Sequence, residues 1–148
     1  MSQSLSDILL HIIFSTKHRS SWIDPSIENE LYSYIRAICK DLNCPVIEIG
    51  GIADHVHILV SFGRTITLSD LISKMKANSS RWMKTKGNSQ FCWQRGFGAF
   101  SVARRNLGSV RGYIVSQKEH HKTKSFKEEF LEMLNQANIK FDEKYLWD

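Results

Sequence analysis

Two histidines, His55 and His57, flank one valine in the run "DHVHILV", and further along Tyr113 precedes Gln117 by four residues. Strand side chains alternate, so residues two apart share a face with Cβ atoms about 6 to 7 Å apart. Imidazoles at that spacing can converge on one divalent cation. The same spacing also suits two histidines on a half-exposed sheet face, and alternation leaves both readings open. On a helix, positions four apart lie one turn from each other on one side. Tyr113, which carries a phenol able to act as a nucleophile, thereby shares a face with an amide. Read singly, Tyr113 also fits a packing tyrosine and Gln117 a solvated amide. Ser109 lies one turn before Tyr113 and Gly112 beside it, small residues that allow a nucleic-acid strand to come near.

Other histidine chemistries fit less well. Leu59 stands where a third alternating histidine of a histidine-triad nucleotide hydrolase belongs, and the paired His-x-Ser/Thr motifs of two-histidine phosphoesterases are missing.

Twenty Lys and Arg against fifteen Asp and Glu give a net charge of +5. The surplus concentrates in "KMKANSSRWMKTK", residues 74 to 86, and continues through Arg95, Arg104, Arg105 and Arg111. Such a run suits a phosphate backbone, and equally a solvated helix face. The three cysteines, Cys39, Cys44 and Cys92, form no metal-binding series and no obvious disulfide set. With no long apolar run and no leader-like start, a cytoplasmic protein with no membrane association is expected.

The elements that must position these residues follow from periodicity. Residues 8 to 15, "ILLHIIFS", read as a central buried strand. Asp24 and Pro25 open an amphipathic helix whose stripe is Ile27, Leu31, Ile35, Ile38 and Leu42. Residues 45 to 49 and 55 to 62 form a hairpin across a five-residue link, with Val56, Ile58, Val60 and Phe62 on the core face and His55 and His57 on the other. Thr67 and Asp70 cap a second helix carrying Leu68, Leu71, Ile72, Met75 and Trp82, and residues 97 to 102 make a fourth strand. A helix is expected from about Asn106 to His120, and another after Ser125 and Glu128, with Phe130, Leu134 and Ala137 on its apolar side. The order strand, helix, strand, strand, helix, strand is the split βαβ, or ferredoxin-like, arrangement of an α+β protein. Its antiparallel sheet is expected to carry helices on one face and to leave the other open for a site. We expect one domain over 1–148, with a core at about 5–122 and a C-terminal helix and tail at about 123–148.

At these residues the chain resembles the single-tyrosine HUH transposases of small bacterial insertion sequences, the insertion sequence 200-like group, and their relatives associated with repetitive palindromes. His55-Val56-His57 matches the histidine, hydrophobe, histidine signature, Tyr113 the nucleophile, and Gln117 the amide that joins the metal; "FSTKHR" and "WQRGFGAFSV" are also similar. The resemblance implies a metal-dependent enzyme that cleaves and rejoins single-stranded DNA through a 5′-phosphotyrosine. It also implies a divalent Mg²⁺ or Mn²⁺ on His55, His57 and Gln117, hairpin-containing DNA ends as substrate, a homodimer, and no nucleotide cofactor. The alternative is a domesticated, non-catalytic single-strand binder on the same fold. Lys17, Arg19, Arg81, Arg104, Arg105 and Arg111 are candidate phosphate contacts, and Trp82, Trp93 and Phe97 candidate stacking residues. His11, on the neighbouring strand, is a candidate for orienting a metal ligand, with a packed histidine as the other reading. His120 is a candidate DNA contact or a helix C-terminal cation.

Overall fold

Alternation along the first strand decides the layering. In β1 (Leu9–Ser15), Ile12 and Phe14 join the main core, whereas His11 and Ile13 lie on the opposite face. The computed structural model describes residues 2–148. After β1 come α1 (Pro25–Asp41), β2 (Val46–Ile52), β3 (His55–Ser61), α2 (Leu68–Thr85) and β4 (Gly98–Val102), then α3 (Leu107–Val115), α4 (Gln117–His120), α5 (Phe126–Gln136) and α6 (Glu143–Leu146). The sheet order is β2-β3-β1-β4 with every neighbouring pair antiparallel. Each crossover, β1-α1-β2 and β3-α2-β4, skips one strand, as the split βαβ order requires.

The expected caps are in place. The Asp24 carboxylate accepts from Ser26 N with Pro25 in the first turn, the Thr67 hydroxyl accepts from Asp70 N, and Ser125 and Glu128 form a full capping box. Helices α1 and α2 bury Leu31, Ile35, Leu71, Ile72 and Met75 against Val56, Ile58 and Val60. Ala137 falls at the C-cap of α5 and is exposed rather than part of its apolar side.

Three local expectations change. The hairpin strands run on to Ile52 and restart at His55, so the turn is Ala53-Asp54, and Gly50 lies in β2 opposite His57. The long helix is broken at Ser116, whose φ of −93° and ψ of 13° end α3. The Ser116 hydroxyl donates to Gly112 O at 2.8 Å, a back-bond that competes with regular helix geometry.

The third change is that the second sheet face is covered. Phe126, Phe130 and Leu134 of α5 pack on Ile13, and Trp147 lies 6.1 Å from Phe130, ring to ring. The physical reason is in the strands: Leu9, Ile13 and Leu59 share the histidine face and are all buried, so an open face would leave apolar area in water. Helix α3 crosses β2 so closely that a Cβ on Gly50 would sit 2.5 Å from Ile114 O. Among the described residues, no helix is long and apolar enough to cross a membrane.

Gly50 therefore sets how near α3 and its Tyr113 come to the sheet. Gly50→Val is expected to cost about 1 to 3 kcal/mol by overpacking against α3. Gly112→Ala, where an added Cβ meets nothing within 4 Å, is expected to stabilise by up to about 1 kcal/mol. Chemical denaturation of the two variants checks both signs.

Candidate functional site

His55 and His57 project from β3 toward α3, α4 and α5, and both are fully buried. Their Nε2 atoms point inward and their Nδ1 atoms are held from behind. His55 Nδ1 lies 2.7 Å from Asp54 Oδ1, and His57 Nδ1 lies 2.8 Å from His11 Nε2. A third imidazole, His121, donates from Nδ1 to Lys124 O at 2.6 Å and also turns Nε2 inward. A fixed Nδ1 partner is how a protein sets the tautomer and ring direction of a metal-binding histidine.

The inward atoms surround Glu129 of α5, which is 1% exposed. Its Oε1 is 3.0 Å from His57 Nε2, 3.1 Å from His121 Nε2 and 3.4 Å from His55 Nε2. Its Oε2 accepts from the Tyr113 hydroxyl and, at 3.2 Å, from Gln117 Nε2. Gln117 turns its oxygen to the imidazoles, 3.1 Å from His55 Nε2 and 2.8 Å from His121 Nε2. His120 Nε2 lies 3.5 Å from the Tyr113 hydroxyl. Ligand atoms from His55, His57, His121 and Glu129 all fall within 4.8 Å of one another. Nitrogen and hard oxygen donors converging on one point, each with its outer partner, fit a divalent cation.

Electrostatics divides the histidines. Burial lowers His57 to about 4, more than Glu129 can offset, and burial together with His57 lowers His11 to about 3. Burial also works against the charged form of His55, but the Asp54 and Glu129 carboxylates outweigh it and raise that ring to about 9. For Glu129, burial is opposed and overcome by hydrogen bonds from His121, His55 and His57, which hold the carboxyl far below its ordinary range. Tyr113 moves the other way: burial first, then the Glu129 carboxylate, raise its phenol above 10.

The sequence-derived set is largely brought together. His55, His57, Tyr113 and Gln117 meet, and His11 backs His57. Glu129 and His121 were missed. Glu129 did leave a signal, because it interrupts an otherwise apolar stripe, Phe126, Phe130 and Leu134, one turn after Phe126. His121 left a fainter one: it follows Gln117 by four residues, the spacing that joins Tyr113 to Gln117, and its Nε2 meets the Gln117 oxygen although it falls in the turn after α4.

The candidate DNA contacts scatter. Lys17 and Arg19 sit on the short turn after β1, where His18 and Arg19 have φ of 58° and 56°, and Arg19 lies 5.6 Å from the Trp147 ring centroid. Arg104 pairs with Asp7 at 2.6 Å, Arg111 with Glu48 at 3.4 Å, and Arg105 is exposed. Arg81 is on α2, across the sheet from the histidines, and bonds Asn78 instead. Part of the basic run is structural: Lys76 caps the carbonyls of Gln94 and Gly96, and burial lowers it to about 8. Trp93 is a core residue whose Nε1–H donates to Ser79 Oγ at 2.9 Å, so it offers no stacking surface. Trp82 stacks on Tyr34, and Phe97 is 40% exposed. An open cleft of about 350 Å³ leads to the cluster past Ser109, Tyr113, His120 and Glu129. A larger depression of about 520 Å³ near Asn43, Arg64 and Thr67 is lined by none of these groups.

Residues 4–117 match the family described as Transposase IS200 like. The chain belongs to that family. The transposase for insertion sequence element IS200 of Salmonella typhimurium is 26% identical over 119 residues, 76% of this chain and 78% of that protein. The Salmonella typhi transposase for the same element gives the same figures, 26% over 119 residues. Among solved structures, a candidate transposase of Deinococcus radiodurans R1 aligns with a TM-score of 0.64 at 18% identity, covering 77% of this chain and 95% of that one. A REP-associated tyrosine transposase bound to a REP hairpin aligns with a TM-score of 0.62 at 14% identity, covering 82% of this chain and 74% of that one. These two likenesses carry the fold. The family match ends at Gln117, so His121 and Glu129 of this IS200-like transposase lie beyond it.

The buried rings make stability depend on acid. His11 and His57 titrate near 6.5 when unfolded but near 3 and 4 when folded, so their contribution is complete above 6.5 and is lost as pH falls through the lower values. In chelator-treated protein, stability is expected to drop steeply below pH 6. Replacing His11 with Phe should reduce that slope by up to about one proton, read from urea midpoints across pH.

Proposed function

We propose that this IS200-like transposase cleaves and rejoins single-stranded DNA at Tyr113, with His55, His57 and Gln117 holding Mg²⁺ or Mn²⁺. The observation that supports this most is proximity: the Tyr113 hydroxyl bonds the same Glu129 carboxylate that the Nε2 atoms of His55 and His57 approach. The Tyr113 oxygen forms a bond to the scissile phosphorus and the P–O3′ bond breaks. The 5′ side stays on the tyrosine, and the 3′-oxygen leaves as a hydroxyl after gaining a proton. One phosphodiester replaces another, so a different 3′-hydroxyl reverses the step without ATP. When bound, a divalent cation polarises the phosphate and offsets charge on the leaving oxygen.

Tyr113 must release its proton, and burial and Glu129 both resist that. Two acceptors are in reach, Glu129 Oε2 and His120 Nε2 at 3.5 Å. DNA enters along the cleft beside Ser109 and Tyr113, where the adjoining Gly112 adds no side chain. Lys17, Arg19, Arg104, Arg105 and Arg111 are the phosphate contacts in this reading, with Arg81 left out for its place across the sheet. Hairpin recognition is drawn from the solved relative that is bound to a REP hairpin.

Incubation with a labelled single-stranded hairpin library and Mn²⁺ should give a covalent adduct on a denaturing gel. Tyr113→Phe should lose the adduct while keeping DNA binding within about twofold. Binding without any adduct in the unaltered protein would instead support a non-catalytic binder.

In this reading each subunit of a dimer uses its own Tyr113, which is supported by the reach of the Tyr113 hydroxyl to Glu129 within one chain. Mixing a Tyr113→Phe chain with a His57→Ala chain is therefore expected to restore no cleavage, and recovery would show a site shared between subunits.

A further inference from the structure

We propose that Glu129 and His121 ligate the same cation as His55, His57 and Gln117, and that Glu129 ties the Tyr113 hydroxyl to it through its second carboxylate oxygen. The proposal rests on the metal-dependent reading above and extends it to two residues outside the family-matched segment.

Three observations carry it. The His121 ring is arranged as the β3 histidines are, with Nδ1 fixed at 2.6 Å on Lys124 O and Nε2 turned inward, 3.1 Å from Glu129 Oε1. Glu129 divides its oxygens: Oε1 faces all three imidazoles, while Oε2 faces Tyr113 and Gln117. Finally, Glu129 sits in the apolar stripe of α5 between Phe126 and Phe130, both 2% exposed. A carboxylate there opposes the helix's own burial and is favourable only where cations or strong donors meet it.

The donor set becomes three imidazole nitrogens, one carboxylate oxygen and one amide oxygen. Nitrogen-rich sites favour Mn²⁺ and later first-row ions over Mg²⁺, which prefers oxygen and retains its water. Binding at Glu129 also couples the ion to the docking of α5 on the sheet. The opposing possibility is that Glu129 only fills the ion's place as a plug, and the sign of one measurement separates the two.

Mn²⁺ affinity is measured by titration calorimetry on the full chain, with His57→Ala as the control. Glu129→Gln and His121→Asn are each expected to weaken Mn²⁺ binding at least about tenfold. Mn²⁺ should slow hydrogen exchange in residues 117 to 136 of the unaltered protein but not of Glu129→Gln. Unchanged or tighter Mn²⁺ binding in Glu129→Gln would overturn the proposal. Loss of binding in His57→Ala with none in the other two variants would overturn it while sparing the metal-dependent reading. Absence of Mn²⁺ binding in the folded unaltered protein would remove both. If Glu129→Gln fails to fold by circular dichroism, His121→Asn decides the ligand question alone.

Discussion

A carboxylate buried among imidazoles is the constraint on which the rest of the structure depends. Glu129 is 1% exposed and held ionised, and taking such a charge out of water costs several kcal/mol unless partners replace the lost hydration. Its partners come from three directions: His55 and His57 from β3, His121 from the turn after α4, and Tyr113 and Gln117 from α3 and α4. None can shift far without leaving either the charge or its own polar group unmet. The apolar contacts of α5 with Ile13 hold the helix down, and the network fixes its register.

The sheet contributes stiffness at the point where precision matters. β3 is paired on both sides, by β1 and β2, so the two histidines stand on one of the two central strands. Their rings are fixed by Asp54 and His11, which turns Nε2 toward Glu129 and Gln117. Tyr113 rides on α3, which Gly50 admits to within contact of β2. A rigid strand and a closely seated helix thus set the distance from the Tyr113 hydroxyl to the histidine and carboxylate cluster, which in the proposed function is the distance from nucleophile to cation, the quantity that positioning catalysis is most sensitive to.

Much of this was legible in the residues. The split βαβ order, the caps at Asp24, Thr67 and Ser125, and the two faces of "HVHILVS" follow from local periodicity, because each reports on backbone geometry within a few positions. The covering of the second face was harder to read, although Leu59 beside the histidines and Ile13 beside His11 were evidence that this face is not solvated. The break at Ser116 coincides with a side-chain bond to Gly112 O that no pattern of hydrophobicity records. Glu129 meets His55 and His57 only through the packing of α5, a contact more than sixty residues from His57 in sequence, whereas His121 also bonds the nearby Gln117 and Lys124. Residue type alone suggests Arg81 and Trp93, but packing puts Arg81 on α2, across the sheet from the histidines, and buries Trp93 in the core.

The central claim is that one chain gathers His55, His57, His121, Gln117 and Glu129 around a single cation position with Tyr113 at its edge. Anomalous diffraction from crystals of the protein soaked in Mn²⁺ tests it most directly. The expected result is one strong peak within about 2.0 to 2.4 Å of the three Nε2 atoms and a Glu129 oxygen, with Tyr113 of the same chain beside it. A peak held by His55 and His57 with Glu129 turned away, or completed by the tyrosine helix of another subunit, would contradict it.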